Sequence, residues 1–245
     1  MPRTARELTG GLLCHVLNRG NGQAEVFHGE DDYAGFVALL RPACARVPMQ
    51  IVAACLMPNH FHLIVRPRAD GDLGRWMQWL MTSHVRRHHR RHGTSGHVWQ
   101  GRFKSFPIQR REPTAGERAA GVVQTANPLW TVVRYVERNP LRAGLVERAE
   151  DWPWSSLGWW QSRKRGRAPS RATAEPAPFF SPERPANWLK TVNRAQTEKE
   201  LAALRQCVIR GRPFGNQLWM RRIAARLGLE STLHPRGRPR KDAKK

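Results

Sequence analysis

Acid, tyrosine and paired cysteine are what this sequence is short of. Nineteen Asp and Glu face 42 Lys and Arg, a formal charge of +23. So little acid excludes an ordinary near-neutral surface and implies a polyanionic partner, most often nucleic acid. Two tyrosines, Tyr33 and Tyr135, stand beside ten tryptophans and eight phenylalanines in 245 residues, so chemistry that needs a phenol has two places to find one. The four cysteines (Cys14, Cys44, Cys55 and Cys207) include no CxxC pair. That argues against a zinc ribbon or a disulfide frame and for reduced thiols. No run reaches the ~20 apolar residues that span a bilayer. MPRTARELTGGLL has no long apolar stretch behind its charges, so no secretory signal is expected. These shortages suggest a cytoplasmic protein that binds nucleic acid and no membrane.

Hydrophobic residues make up 40% of the chain, enough for a packed core. GLLCHVLNR (11–19) reads as a strand ending in the turn Gly20-Asn21-Gly22. Tyr33, Phe36, Val37, Leu39 and Leu40 recur at helical spacing between Glu30 and Arg46, with Pro42 expected to disturb the later turns. MQIVAACLM (49–57) and HFHLIVRP (60–67) read as two strands around the break Pro58-Asn59. Asp72 suits the cap of a helix that runs to Gly93. VWQGRFKSFPIQ (98–109) reads as another strand, 111–127 as a loop or insertion, and PLWTVVRYVERNP as a helix with Pro128 at its start. The order β-α-β-β-α-β-α is an α+β pattern built on an antiparallel hairpin. The Pro- and Arg-rich stretch 163–186 reads as a linker, and 187–229 is helical in pattern.

Two imidazoles interrupt an otherwise apolar strand. Side chains alternate along a strand, so His60 and His62 face one way, about 7 Å apart, while Phe61 faces the other. Such a pair is either structural or a grip for a divalent ion. Tyr33 fits the apolar face of its helix, and Tyr135 in RYVERNP reads as packing or as a nucleophile. Asn139 falls one helical turn after Tyr135, but it precedes Pro140 and so also suits a helix end.

MPNHFHLIV (57–65) stands with NRGN (18–21) upstream. VWQGRFKS (98–105) and YVERNPLRAGLV with DWPWSSL (135–157) follow. Taken together, the motifs resemble the single-tyrosine transposases of the HUH type, IS200-like, and most closely the REP-associated branch. The resemblance covers about residues 8–160. It implies a ferredoxin-like HUH domain at 1–160 with a central antiparallel sheet, a linker at 161–187 and a helical, basic DNA-binding extension at 188–245.

The resemblance also implies a mechanism. His60, His62 and Asn139 would hold Mg²⁺ or Mn²⁺, and Tyr135 would attack single-stranded DNA beside a hairpin-forming repeat. A 5′-phosphotyrosine intermediate follows. Arg134 and Arg138 are candidates for favouring the phenolate. The branch implies a monomer; insertion-sequence relatives are dimers that trade catalytic helices.

Candidate DNA contacts are Arg86, Arg87, Arg90 and Arg91 on the second helix, with Arg102 and Lys104 at the last strand. Trp99 or Phe103 are candidates for stacking on an unpaired base. Arg236 and Arg238 lie in an AT-hook-like tail, HPRGRPRK. Histidines 84, 88, 89, 92 and 97 are further candidate metal ligands but are expected to face phosphate or water, and Trp152 and Trp154 to pack against the tyrosine helix. Two other readings share the basic surface: a regulator that binds repeats without cutting them, and a replication initiator or relaxase.

Overall fold

The computed structural model describes residues 9–110, 127–166 and 183–234. Four strands form one antiparallel sheet: β1 Leu13–Arg19, β2 Met49–Met57, β3 His60–Pro67 and β4 Lys104–Ile108. Their order is β2-β3-β1-β4. Helix α1 (Glu30–Arg46) links β1 to β2, and α2 (Asp72–His92) links β3 to β4. That connectivity is ferredoxin-like, as the sequence motifs imply. Helix α1 runs through Pro42 without ending.

Strand alternation splits the interior into two layers. Phe61, Leu63 and Val65 face α1 and α2, where they meet Phe36, Leu40, Trp76 and Leu80. Ile64 faces the other way, toward Phe106, Val132, Val133 and Val136. That second layer is built by helices that follow β4: α3 (Pro128–Glu137), α4 (Asn139–Arg142) and α5 (Ser156–Lys164), then α6 (Trp188–Asn193) and α7 (Glu198–Arg210); the last helix is α8 (Gln217–Leu227), whose Leu227 packs against the first layer. Asn127 caps α3 through Leu129 N, with Pro128 in the first turn where no amide hydrogen is needed. Helix α7 opens on a capping box between Thr197 and Glu200 and buries Leu201, Leu204 and Cys207. Thus the C-terminal helices share a core with the tyrosine-bearing helix α3.

Several expectations need correcting. Asp72 opens α2 rather than capping it; Gly71 is the cap residue, and Asp72 accepts a hydrogen bond from Ala69 N at 2.7 Å. The strand expected over 98–109 is only Lys104–Ile108. Before it, Trp99 makes a single bridge to Gly20, and Gly101 turns the chain at φ 124°. Helix α5 reaches Lys164, inside the stretch assigned to the linker. The rest of that stretch from 167 to 182, the insertion at 111–126 and the tail arginines Arg236 and Arg238 fall outside the described residues.

Each sheet edge carries one bridge from a later segment. Ser155 pairs with Cys55 on β2, beside a bond from Leu56 N to Trp154 O. Phe214 pairs with Ile108 on β4, where Gln109 N donates to Phe214 O and Phe214 N donates to Pro107 O, both at 2.9 Å. Pro107 lacks an amide hydrogen and is tolerated because β4 is an outer strand. Among the described residues, no helix is long and apolar enough to cross a membrane.

Candidate active site

Strand register brings the sequence-predicted residues together. Leu17 of β1 lies opposite both His62 and Lys104, Arg19 lies opposite His60, and His15 lies opposite Ile64 and Phe106. Directly paired residues share a face. His15, His60, His62 and Lys104 therefore all stand on the side covered by α3. Helix α3 delivers Tyr135 to the same place: its ring is 5.8 Å from the ring of His62 and edge-on to it.

A relay of hydrogen bonds fixes the two imidazoles. His62 Nδ1 is 2.9 Å from Nε2 of His15, which is fully buried. His60 Nδ1 is 2.6 Å from Asn59 Oδ1. Each of the pair thus has its Nδ1 engaged, and among the described residues no hydrogen bond occupies Nε2 of either. Second partners of this kind are what orient imidazoles for ligation. A lone pair on His62 Nε2 requires its proton on Nδ1, donating to His15 Nε2. The proton of His15 then sits on Nδ1, a buried atom with no hydrogen-bond partner.

Burial keeps the cluster neutral. It pulls His15 down to about 3, with help from a charge on His60. It pulls His60 down to about 4, with further push from Arg19 and Arg142. His62 falls well below its ordinary range through burial first, then His60, His15 and Arg142. Neutral imidazole is the form that binds a metal.

Arg142 is the side chain that reading by motif missed. Its guanidinium lies over the Tyr135 ring, 4.4 Å from the ring centre. It also donates to Asn139 Oδ1 at 2.6 Å. Asn139 is buried, and its Nδ2 has no hydrogen-bond partner. The spacing was available in the sequence: positions 135, 139 and 142 follow one helical face even though the chain breaks between α3 and α4 at Arg138. Arg134 and Arg138 go elsewhere. Arg134 donates to the carbonyls of Arg194 and Ala195, and Arg138 to those of Val192 and Asn193. They tie α3 to the end of α6 and do not face the phenol.

Residues 9–116 match the family model described as Transposase IS200 like. This segment is similar to the IS200-like transposases. A protein of Haemophilus influenzae assigned as a REP-associated tyrosine transposase is 26% identical over 133 residues, half of this chain and 66% of that one. The match therefore spans just under two thirds of the relative's length. Among solved structures, a REP-associated tyrosine transposase bound to a REP hairpin is 21% identical with a TM-score of 0.44, covering 75% of this chain and 98% of that one. A Deinococcus radiodurans protein assigned as a transposase is 17% identical with a TM-score of 0.34, covering 49% and 92%.

Other motifs of the transposase-like segment serve as scaffold. Gln100 N donates to Arg19 O at 2.8 Å and Asn18 Nδ2 to Gly101 O at 3.0 Å, which sews NRGN to VWQGRF. Trp99 is buried against Phe61, Phe27 and His84 in the α1–α2 layer, so it is not placed to stack on a base. Tyr33 stacks between Phe27 and Trp154. Trp154 therefore packs on α1, not on the tyrosine helix. Trp152 reaches β2, donating to Leu56 O at 2.8 Å.

The basic residues divide between two faces of the sheet domain. Lys104 is exposed in the row of His62, and Arg102 is exposed just before it. Arg86, Arg87, Arg90 and Arg91 are exposed on α2, on the opposite side of the sheet from Tyr135. Arg91 is committed to Asp31 at 2.9 Å and Asp32 at 3.1 Å. The Arg87 guanidinium lies over Gly35 of α1, so close that a methyl group there would collide with it. Arg86 and Arg90, one turn apart, occupy the outer face of the helix.

Proposed function

We propose that this chain is a DNA strand transferase that cuts and rejoins single-stranded DNA beside hairpin-forming repeats, using Tyr135 as nucleophile. The observation that supports it is the meeting of one phenol with a neutral imidazole pair and a guanidinium, in a chain similar to the IS200-like transposases. The basic surface and the REP-associated relative favour repeat DNA as substrate.

In the proposed step the Tyr135 oxygen attacks phosphorus and forms a P–O bond in line with the bond that breaks. The departing 3′ oxygen gains a proton and becomes a free hydroxyl, and the 5′ phosphate stays on the tyrosine. Reversal by a 3′-OH returns the phenol and restores a phosphodiester, so no nucleotide cofactor is consumed. Arg142, whose guanidinium covers the Tyr135 ring, supplies positive charge beside the phosphate. Lys104 and Arg19 flank the same row and suit the DNA backbone.

The residues fit a divalent ion, Mg²⁺ or Mn²⁺. His60 and His62 would hold it through Nε2, since their Nδ1 atoms are already engaged. Asn139 would add its amide oxygen, which has a second lone pair beside the one given to Arg142. Bound there, the ion would neutralise charge on the scissile phosphate. A two-imidazole site favours manganese over magnesium, which prefers oxygen ligands.

Labelled hairpin DNA with single-stranded flanks, incubated with the protein and Mn²⁺, tests the proposal on a denaturing gel. A covalent protein–DNA adduct is expected, lost in Tyr135→Phe and in His60→Gln/His62→Gln. Tight hairpin binding without an adduct under any divalent ion would replace this reading with that of a non-cleaving regulator.

A further inference from the structure

A second group of histidines stands on the other side of the sheet. His88 and His92 sit one turn apart near the end of α2, and His28 lies in the segment just before α1. One ring nitrogen from each lies within 4.8 Å of the others. The ring centroids are 4.6 Å apart for His88 and His92, 4.9 Å for His28 and His92, and 5.9 Å for His28 and His88. Three imidazoles converge here from two elements, two of them beside one carboxylate, Asp32. Protonated, they would repel one another on a chain that is already strongly basic.

Asp32 holds this arrangement in place. It accepts from His28 N at 2.9 Å and lies 3.0 Å from His92 Nε2. With Nε2 turned to the carboxylate, His92 presents Nδ1. A carboxylate behind an imidazole is the usual support for a metal-bound histidine. His88 Nδ1 is buried with no hydrogen-bond partner. Two histidines four residues apart on one helical face, with a third from elsewhere, make a familiar donor set for zinc.

We propose that His28, His88 and His92 form a zinc site that fastens the last turn of α2 to the start of α1, with solvent in the fourth position. Tetrahedral zinc with bonds of ~2.0–2.1 Å needs nitrogens ~3.3 Å apart. The rings must close in by about 1.5 Å from the present 4.8 Å limit. That movement is within reach, since His28 is exposed and the other two are only half-buried. The ion would link the two helices while keeping one position open to solvent. It lies in the α1–α2 layer, across the sheet from Tyr135, and holds the helix that carries Arg86 and Arg90. This site is independent of the strand-transfer reading.

The full-length protein, stripped with EDTA and dialysed against zinc chloride, provides the test by elemental analysis and by the visible spectrum of the cobalt-substituted form. His60→Gln/His62→Gln should keep one equivalent of zinc and a tetrahedral cobalt spectrum. His88→Ala/His92→Ala should lose that equivalent while its far-UV circular dichroism stays unchanged. His28→Ala should bind at least about tenfold more weakly. Equal zinc content in the wild type and His88→Ala/His92→Ala overturns the proposal, as does a His60→Gln/His62→Gln variant that binds none. If His88→Ala/His92→Ala does not fold, His28→Ala decides, because the residue is exposed in a loop; unchanged affinity there overturns the proposal too.

Discussion

Replacing Glu137 should unfasten the tyrosine helix from the segment that follows α5. Glu137 is fully buried two residues after Tyr135. Its carboxylate accepts from Ser156 Oγ at 2.6 Å and Trp188 Nε1 at 2.8 Å, and it pairs with Arg184, whose side chain is 3% exposed. Ser156 Oγ in turn accepts from Ala54 N of β2, so one carboxyl group ties α3, α5, α6 and the sheet. Glu137→Leu strands a guanidinium away from water, which costs about 3–5 kcal/mol. Glu137→Gln keeps the shape but loses the charge and turns an amide donor toward donors, costing about 1.5–3 kcal/mol. The sign of the double change discriminates. Glu137→Leu with Arg184→Leu removes both charges and should recover most of the loss, to within about 1–2 kcal/mol of the wild type. Urea denaturation followed by circular dichroism measures all four corners of the cycle. If Glu137→Gln shifts stability by less than about 0.5 kcal/mol, or the double variant is as unstable as the sum of its parts, the buried pair is not what holds these elements.

Further outcomes follow from the same physics. His15 and His84 are buried and titrate at about 3 in the fold against 6.5 in the free chain, burial being the main cause for both. A base whose value is depressed by folding stabilises the fold above 6.5, and that contribution is lost as pH falls toward 3, because the unfolded chain takes up the proton first. At pH 5 each costs about 2 kcal/mol; urea midpoints of EDTA-treated protein should drop between pH 7.5 and 5.0, and equal midpoints would refute this. His15→Leu removes the partner of His62 Nδ1 and should raise the Mn²⁺ concentration for half-maximal adduct formation by about 10–100-fold, read from a manganese titration; an unchanged titration curve would remove His15 from the site. Alanine for a glycine inside a helix normally stabilises by about 0.5–1 kcal/mol. Gly158→Ala should instead destabilise by about 1–3 kcal/mol, because its methyl group would stand 2.3 Å from Trp152 O; a raised melting temperature would contradict that packing.

Much of the fold was legible because its signals are local. Met49–Met57 and His60–Pro67 are bounded by a Pro-Asn break, and α2 by an αL glycine, Gly93. Alternation alone put His60 and His62 on one face. What escaped depends on contacts distant in sequence. His15 looks like any residue of a strand until register sets it beside His62, 47 positions away. Arg134 and Arg138 flank Tyr135 in sequence and invite a catalytic reading, yet helical rotation turns them to carbonyls 54–61 positions on. Trp99 sits in a basic stretch and invites a surface role, but a turn at Gly101 allows it to fold inward. The histidines of α2 were read as facing phosphate or water because their companion, His28, comes from another element.

The single bridges at Ser155 and Phe214 bear on how copies of this chain can meet. An outermost strand with open amides and carbonyls is a template on which a neighbour can extend the ladder. Here each flank of the sheet is already occupied partway along by backbone from the same chain. Continuous growth of one sheet into the next is thereby obstructed, which protects a strongly cationic molecule from polymerising edge to edge. Contacts between copies are thereby steered away from strand pairing.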